Sequence, residues 1–140
     1  MKILAVDYGD SRTGPATCDH TEFLTTPITP QITLKARNKV AARVCEAAKE
    51  IGAELIVIGL PLNMDGTEGP RAELYRDFAA LVEDTAGLRP VLWDERRTTV
   101  DAHRILFEAG KNARKRKKTV DAVAASLILE GYLDHRRLRG

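Results

Sequence analysis

Met1-Lys2-Ile3-Leu4-Ala5-Val6-Asp7-Tyr8-Gly9 holds an uninterrupted apolar run, Ile3 to Val6, that ends in a carboxylate. A short run without polar alternation reads as a strand buried on both faces. Gly9 lets the chain turn away directly after it. Asp7 is therefore expected at the rim of a sheet, where open α/β sheets keep their chemistry. Aspartate is also a common turn residue. Its meaning depends on what the rest of the chain brings to the same rim.

Leu55-Ile56-Val57-Ile58 has the same character and predicts another interior strand. It empties into a connection from Gly59 to Pro70, long beside the roughly two to six residues usual between strand and helix. Between the two runs, Pro15 to Asp19 and Glu22 to Ile28 read as weaker strands that pair back on the first. Pro15 lacks an N–H, which places it near a strand end or bulge. From Leu34 the period becomes helical: Val40, Val44, Ala47, Ala48 and Ile51 share a face, and Gly52 ends the helix. Pro70 suits the first turn of a second helix, with Tyr75, Phe78, Ala79 and Val82 as its apolar stripe and Gly87 at its end. Val91-Leu92-Trp93 is a fifth strand. Thr98 or Thr99 then caps a helix with Ala102, Ile105, Leu106 and Ala109 facing inward. Lys111 to Lys118 reads as a basic loop, and a last helix begins near Thr119 with Val120, Val123, Ala124, Leu127 and Ile128 on its stripe. Strands that alternate with helices pair in parallel, while opening hairpins pair antiparallel. The expected fold is α/β, a mixed five-stranded sheet with helices on both faces, in one domain spanning residues 1–140.

The bulk composition excludes more than it identifies. Net charge is +2, so overall charge does not announce a nucleic-acid partner. Cys18 and Cys45 form no Cys-x-x-Cys pair and suit neither a disulfide framework nor a zinc site. No apolar run approaches the roughly 20 residues of a membrane helix, and no secretory h-region precedes the first strand. Together these predict a cytoplasmic protein. His20, His103 and His135 show no metal spacing, and no glycine pattern fits a Walker A or dinucleotide fingerprint.

The acids are more telling. Asp7 follows the first strand, Asp94-Glu95 follows the fifth, and Asp121 lies in the expected first turn of the final helix. Neighbouring strand residues point to opposite faces, so only one of Asp94 and Glu95 can share a side with Asp7. Three carboxylates brought together repel unless cations lie between them. Hard oxygen ligands suit Mg²⁺ or Mn²⁺, and two such ions about 3.5–4 Å apart promote phosphodiester hydrolysis. Each acid also has a structural alternative. Asp121 can complement the helix dipole, worth about 0.3–1 kcal/mol, and Glu95 can pair with Arg96 or Arg97 at the surface. Arg114, Lys115, Arg116, Lys117 and Lys118, just before Asp121, are either a solvated charge run or a phosphate clamp whose affinity falls with salt. Arg12, Arg71 and Arg96 are further phosphate-contact candidates in the rim loops.

The segments Val6-Asp7-Tyr8-Gly9 with Arg12 and Gly14, Gly59-Leu60-Pro61-Leu62-Asn63-Met64-Asp65-Gly66-Thr67, Asp94-Glu95-Arg96 and Val120-Asp121-Ala122-Val123-Ala124-Ala125 resemble the YqgF family, in the family's order and over nearly the whole chain. The resemblance implies a ribonuclease H-like fold and a cytoplasmic bacterial protein. It further implies divalent-metal nuclease chemistry with Asp7, Glu95 and Asp121 as catalytic and metal-binding triad. Family members carry the names Holliday junction resolvase and pre-16S rRNA nuclease, so the implied substrate is structured RNA or branched DNA. The chain departs from the family at Thr13, Pro15 and Arg97, where apolar residues are usual.

The leading expectation is thus an Mg²⁺- or Mn²⁺-dependent endonuclease that processes the 5′ end of pre-16S rRNA during ribosome biogenesis. A Holliday junction resolvase is the close variant, and a two-fold junction would favour a homodimer. A catalytically silent nucleic-acid-binding factor would keep the basic tract without the metal. A small-molecule phosphotransferase ranks last, because Asp-x-Gly folds of that class resemble two copies of this architecture.

Overall fold

The computed structural model describes residues 1–19, 21–22, 25–28, 30–94 and 113–139, and in its last helix the side chains of residues 124–137. The strands are β1 (Ile3–Asp7), β2 (Gly14–Cys18), β3 (Thr25–Pro27), β4 (Leu55–Leu60) and β5 (Val91–Asp94). The helices are α1 (Arg37–Ile51), α2 (Pro70–Ala86) and α3 (Ala113–Arg139). The helix expected after Thr98 or Thr99 lies outside the described residues, as do Glu95, Arg96, Arg97 and Lys111.

The sheet order is β3-β2-β1-β4-β5. β1 runs parallel to β4 and β4 parallel to β5, while β2 is antiparallel to both β1 and β3. This is the expected mixed five-stranded sheet, with the opening run as its middle strand. Pro15 does not disturb the β1–β2 ladder. Its carbonyl accepts from the Ile28 N–H at 2.9 Å, on the β3 side. A strand residue's N–H and C=O point the same way, so the missing donor also falls on the side of the short edge strand, where proline is tolerated.

Alternation along β1 divides the core. Leu4 and Val6 join Ile56 and Ile58 against Val40, Val44, Phe78 and Val82, which places α1 and α2 on one face. Ile3, Ala5 and Val57 meet Ile128, Leu129 and Leu133 of α3 on the other. Every residue from Ile3 to Val6 is fully buried, as a run without polar alternation requires. The expected stripes of α1 and α2 hold: Val40, Val44, Ala47, Ala48, Tyr75, Phe78, Ala79 and Val82 are all buried. Gly52 and Gly87 close these two helices in left-handed conformation.

Two expectations for the C-terminal segment need correction. The last helix starts at Ala113 and not near Thr119, so Arg114 to Lys118 lie within α3 and not in a loop. Alanine, arginine and lysine are strong helix formers, and a run of charge does not by itself signal a loop. The buried face of α3 also runs through Ala125, Ile128, Leu129 and Leu133, whereas Ala124 and Leu127 are only half-buried. Consecutive apolar residues leave the stripe ambiguous by one position, and packing on β1 decides it.

At the lower edge, α3 is tied down by charge. Arg136 donates to Glu22 Oε1 at 3.0 Å, and the Met1 ammonium lies 3.5 Å from Glu22 Oε2. Arg137 donates to the Glu22 carbonyl at 3.0 Å. Glu22 itself is held at φ 64, a conformation that costs a non-glycine residue about 1–2 kcal/mol. α3 therefore runs antiparallel to β1, with its C-terminal end at the Met1 edge and its N-terminal end directed toward the edge where Asp7 sits.

Candidate active site

Because β1, β4 and β5 are parallel, their C-terminal ends form one rim. Asp7 ends β1 there, half-buried, with Gly14 of β2 as its ladder partner. By alternation it follows Ile3 and Ala5 and belongs to the α3 face. Asp94 ends β5 opposite Leu60. It follows Leu92, which packs against the α1–α2 core, and so belongs to the other face. Of the two neighbouring acids, Asp94 does not share a side with Asp7; Glu95 lies outside the described residues. Asp121 occupies the ninth position of α3. That is beyond the first turn, where a dipole contribution fades, so the capping alternative for Asp121 no longer stands. Among the described residues, no three His, Cys, Asp or Glu side chains come together; Glu95 and the Asp121 side chain are not among them.

The chain beyond Asp7 is held from the α2 side. The Tyr8 ring stacks on Phe78 at 4.0 Å and 7° and meets Tyr75 edge-on at 5.2 Å. The Tyr75 hydroxyl donates a hydrogen bond to the Tyr8 carbonyl. Arg71 Nη2 donates to the Tyr75 hydroxyl at 3.4 Å, and its Nη1 lies 3.6 Å from Asp10 Oδ2. Sequence reasoning missed this cluster. The available signal was a tyrosine in a buried stripe, whose hydroxyl must find a partner.

Gly9 is required by proximity. A Cβ there would overlap the Arg12 carbonyl oxygen, a backbone atom that cannot swing aside. The Gly9 N–H reaches the hydroxyl of Thr13, which is fully buried, and the Thr13 backbone exchanges hydrogen bonds with Ile32 at 2.8 and 2.9 Å. Gly9→Ala is expected to lower stability by about 1–3 kcal/mol, the usual penalty of forced overpacking. It should also displace the end of β1, and with it any activity that depends on Asp7. A thermal melt and a rate measurement on the same preparation check both.

Arg12 is half-buried and Arg71 exposed, both at this rim. An exposed pair such as Arg71–Asp10 contributes little to stability. The connection after β4 reaches the same rim and is tied to itself. Asn63 N–H bonds the Thr67 carbonyl at 2.8 Å, Asn63 Nδ2 donates to Thr67 Oγ1 at 3.0 Å, and Thr67 Oγ1 donates to Asp65 Oδ1 at 2.6 Å. Met64 stands 94% exposed at its tip. A separate groove of about 780 Å³ between the C-terminal ends of α1 and α2 lies at the opposite edge. Its Cys45 thiol has its pKa pushed up by burial, which disfavours the thiolate a nucleophile needs. No helix among the described residues is long and apolar enough to cross a membrane.

Known proteins show the same organisation. The chain is 42% identical over 134 residues to a protein of Ruminiclostridium cellulolyticum named "Putative pre-16S rRNA nuclease", covering 96% of this chain and 94% of that one. A protein of the same name from Carboxydothermus hydrogenoformans is 41% identical over 140 residues, covering 97% and 98%. Among solved structures, T. thermophilus RuvC in complex with a Holliday junction substrate superposes with a TM-score of 0.64 at 14% identity, over 98% of this chain and 96% of that one. That likeness establishes the ribonuclease H-like fold, as the resemblance implied. The family profile described as "RuvX: Holliday junction resolvase" matches residues 1–135, taking in the Asp7 strand, the loop after β4 and the Asp121 helix alike, and the chain belongs to that family.

Proposed function

We propose that the chain is a divalent-metal-dependent endonuclease that hydrolyses phosphodiester bonds, with the 5′ end of pre-16S rRNA as substrate. The observation that carries this reading is the Asp7 carboxylate at the C-terminal rim, on the α3 face of a fold shared with a nuclease family. Its donor chemistry fits Mg²⁺ or Mn²⁺, because a half-buried carboxylate is a hard oxygen ligand at a rim that leaves room for water. Asp7, Glu95 and Asp121 would hold the ion. When bound, such an ion supplies an activated water and stabilises the leaving oxygen. Asp7 would fix the position of the site, since its backbone is held in the β1–β2 ladder opposite Gly14. Arg12, Arg71, Arg96 and the α3 cations from Arg114 to Lys118 would hold substrate phosphates in register. Relatives carry the rRNA nuclease name, which favours RNA, whereas the family description favours a branched DNA junction; a two-fold junction would call for a homodimer.

The deciding experiment presents purified protein with precursor rRNA and a four-way DNA junction side by side, with and without Mg²⁺ or Mn²⁺. RNA cleavage that requires metal and leaves 5′-phosphate and 3′-hydroxyl ends is expected. Cleavage of the junction alone would transfer the reading to DNA. No cleavage of either would promote a silent binding factor.

Neutralising Lys115, Arg116, Lys117 and Lys118 together should weaken substrate binding and flatten its salt dependence. The slope of log affinity against log salt should shrink by roughly 0.7–0.9 for each phosphate these cations no longer neutralise. Affinities measured at several salt concentrations test this, and an unchanged slope would leave these residues as a solvated face of α3.

A further inference from the structure

We infer that Tyr75 is a positioning residue for Asp7, acting through the backbone of Tyr8; this rests on the reading of Asp7 as a metal-binding carboxylate. The ladder between β1 and β2 ends at the Asp7–Gly14 pair, so Tyr8 is the first residue past it. The Tyr75 hydroxyl takes over at that point and donates to the Tyr8 carbonyl. Tyr75 is 4% exposed, so most of the side chain is held among protein groups. The anchor is itself braced, because Arg71 donates to the same hydroxyl and reaches Asp10 on the far side of the turn.

Alternation places Tyr8 on the α2 face and Asp7 on the α3 face. Tyr75 therefore grips the chain from the side opposite the proposed metal site and touches neither metal nor substrate. Its effect is on direction: with the Tyr8 carbonyl fixed, the end of β1 cannot swing, and the Asp7 carboxylate keeps one aim. Phenylalanine would fill the same space and keep the edge-on contact with Tyr8, so packing alone does not explain the hydroxyl.

The test compares Tyr75→Phe with Val82→Ala. Val82 is a fully buried α2 residue in the same core, and it serves as a control for general destabilisation. Metal-free amide exchange, Mn²⁺ titration by thermal shift, and steady-state cleavage are measured on all three proteins. Tyr75→Phe should speed exchange selectively at residues 8–10 and weaken the Mn²⁺ midpoint by about 10–100-fold, the usual consequence of removing a group that orients a ligand. It should lower kcat by more than it raises KM for the nucleic acid, the KM change reflecting only Arg71, which loses its bond to the hydroxyl. Val82→Ala should lower the melting temperature at least as much, yet leave exchange at residues 8–10 and the Mn²⁺ midpoint at wild-type values. A Tyr75→Phe protein equal to wild type in both readouts, or a Val82→Ala protein that reproduces both changes, would overturn the inference alone. A wild type indifferent to Mn²⁺ would overturn the metal reading and the inference with it.

Discussion

Asp7→Asn should reduce cleavage by more than about 100-fold under the proposed metal-binding role of Asp7, because even the outer partners of a metal ligand are worth about 10–100-fold. The substitution keeps the shape and hydrogen-bonding reach of the side chain and removes its charge. Asp7 sits at the rim, beyond the fully buried run from Ile3 to Val6, so stability should change by no more than about 1 kcal/mol. The expected signature is a folded, RNA-binding protein with no metal-dependent turnover. A single-turnover assay in Mg²⁺ with a parallel melt measures both halves. Wild-type cleavage by Asp7→Asn would make Asp7 a turn residue and dissolve the proposed triad.

Phe78→Ala should produce the largest loss of stability. Phe78 is fully buried in the α1–α2 core and carries the Tyr8 ring on its face. Truncating a buried phenylalanine costs about 3–5 kcal/mol, a large share of the roughly 5–15 kcal/mol that holds a domain together. The melting temperature should fall by about 10–20 °C on the usual scaling for a chain of this size. Urea and thermal denaturation should agree on the magnitude. A loss below about 1 kcal/mol would mean that neighbouring side chains close the cavity. The variant should also loosen Tyr8, so residual activity measured well below its melting point should be reduced too.

Much of this architecture is legible in the sequence because its signals are local. The unbroken runs Ile3–Val6 and Leu55–Ile58 can only be interior strands, and the stripe Tyr75, Phe78, Ala79, Val82 can only be one face of a helix. Gly52, Pro70 and Gly87 punctuate those elements where expected. Lys111 to Lys118 misleads, since its charge suggests a loop although arginine and lysine favour helix; from Ala113 onward the chain is α3. The α3 stripe holds at Ile128, lies outside the described side chains at Val120 and Val123, and fails at Ala124 and Leu127 for a related reason: in Ala124-Ala125-Ser126-Leu127-Ile128-Leu129 nearly every residue is apolar, and only packing on Ile3 and Ala5 selects the buried ones. At the site, Asp7 can be picked out because a carboxylate ending a buried strand is conspicuous. The separation of Asp94 from Asp7 follows only once the register of β5 is known. The Tyr75–Tyr8 contact joins residues 67 positions apart, a pairing that no sequence period encodes.

The long C-terminal helix also acts as a lever. Its pivot is the foot of the domain, where Arg136 and Arg137 grip Glu22 and Leu133 is buried beside β1. Asp121 lies 15 residues from Arg136, about 22 Å along the axis at 1.5 Å per residue. A tilt of only about 5° at the pivot swings that position by roughly 2 Å, and a misplacement of about 1 Å can cost a catalytic group 100-fold. On the proposed role of Asp121, accuracy at its end of the helix is thus leveraged against an ion pair at the other. On that reading, substitutions at Glu22 or Arg136 that barely register in a melt would spoil the aim of a carboxylate they never touch.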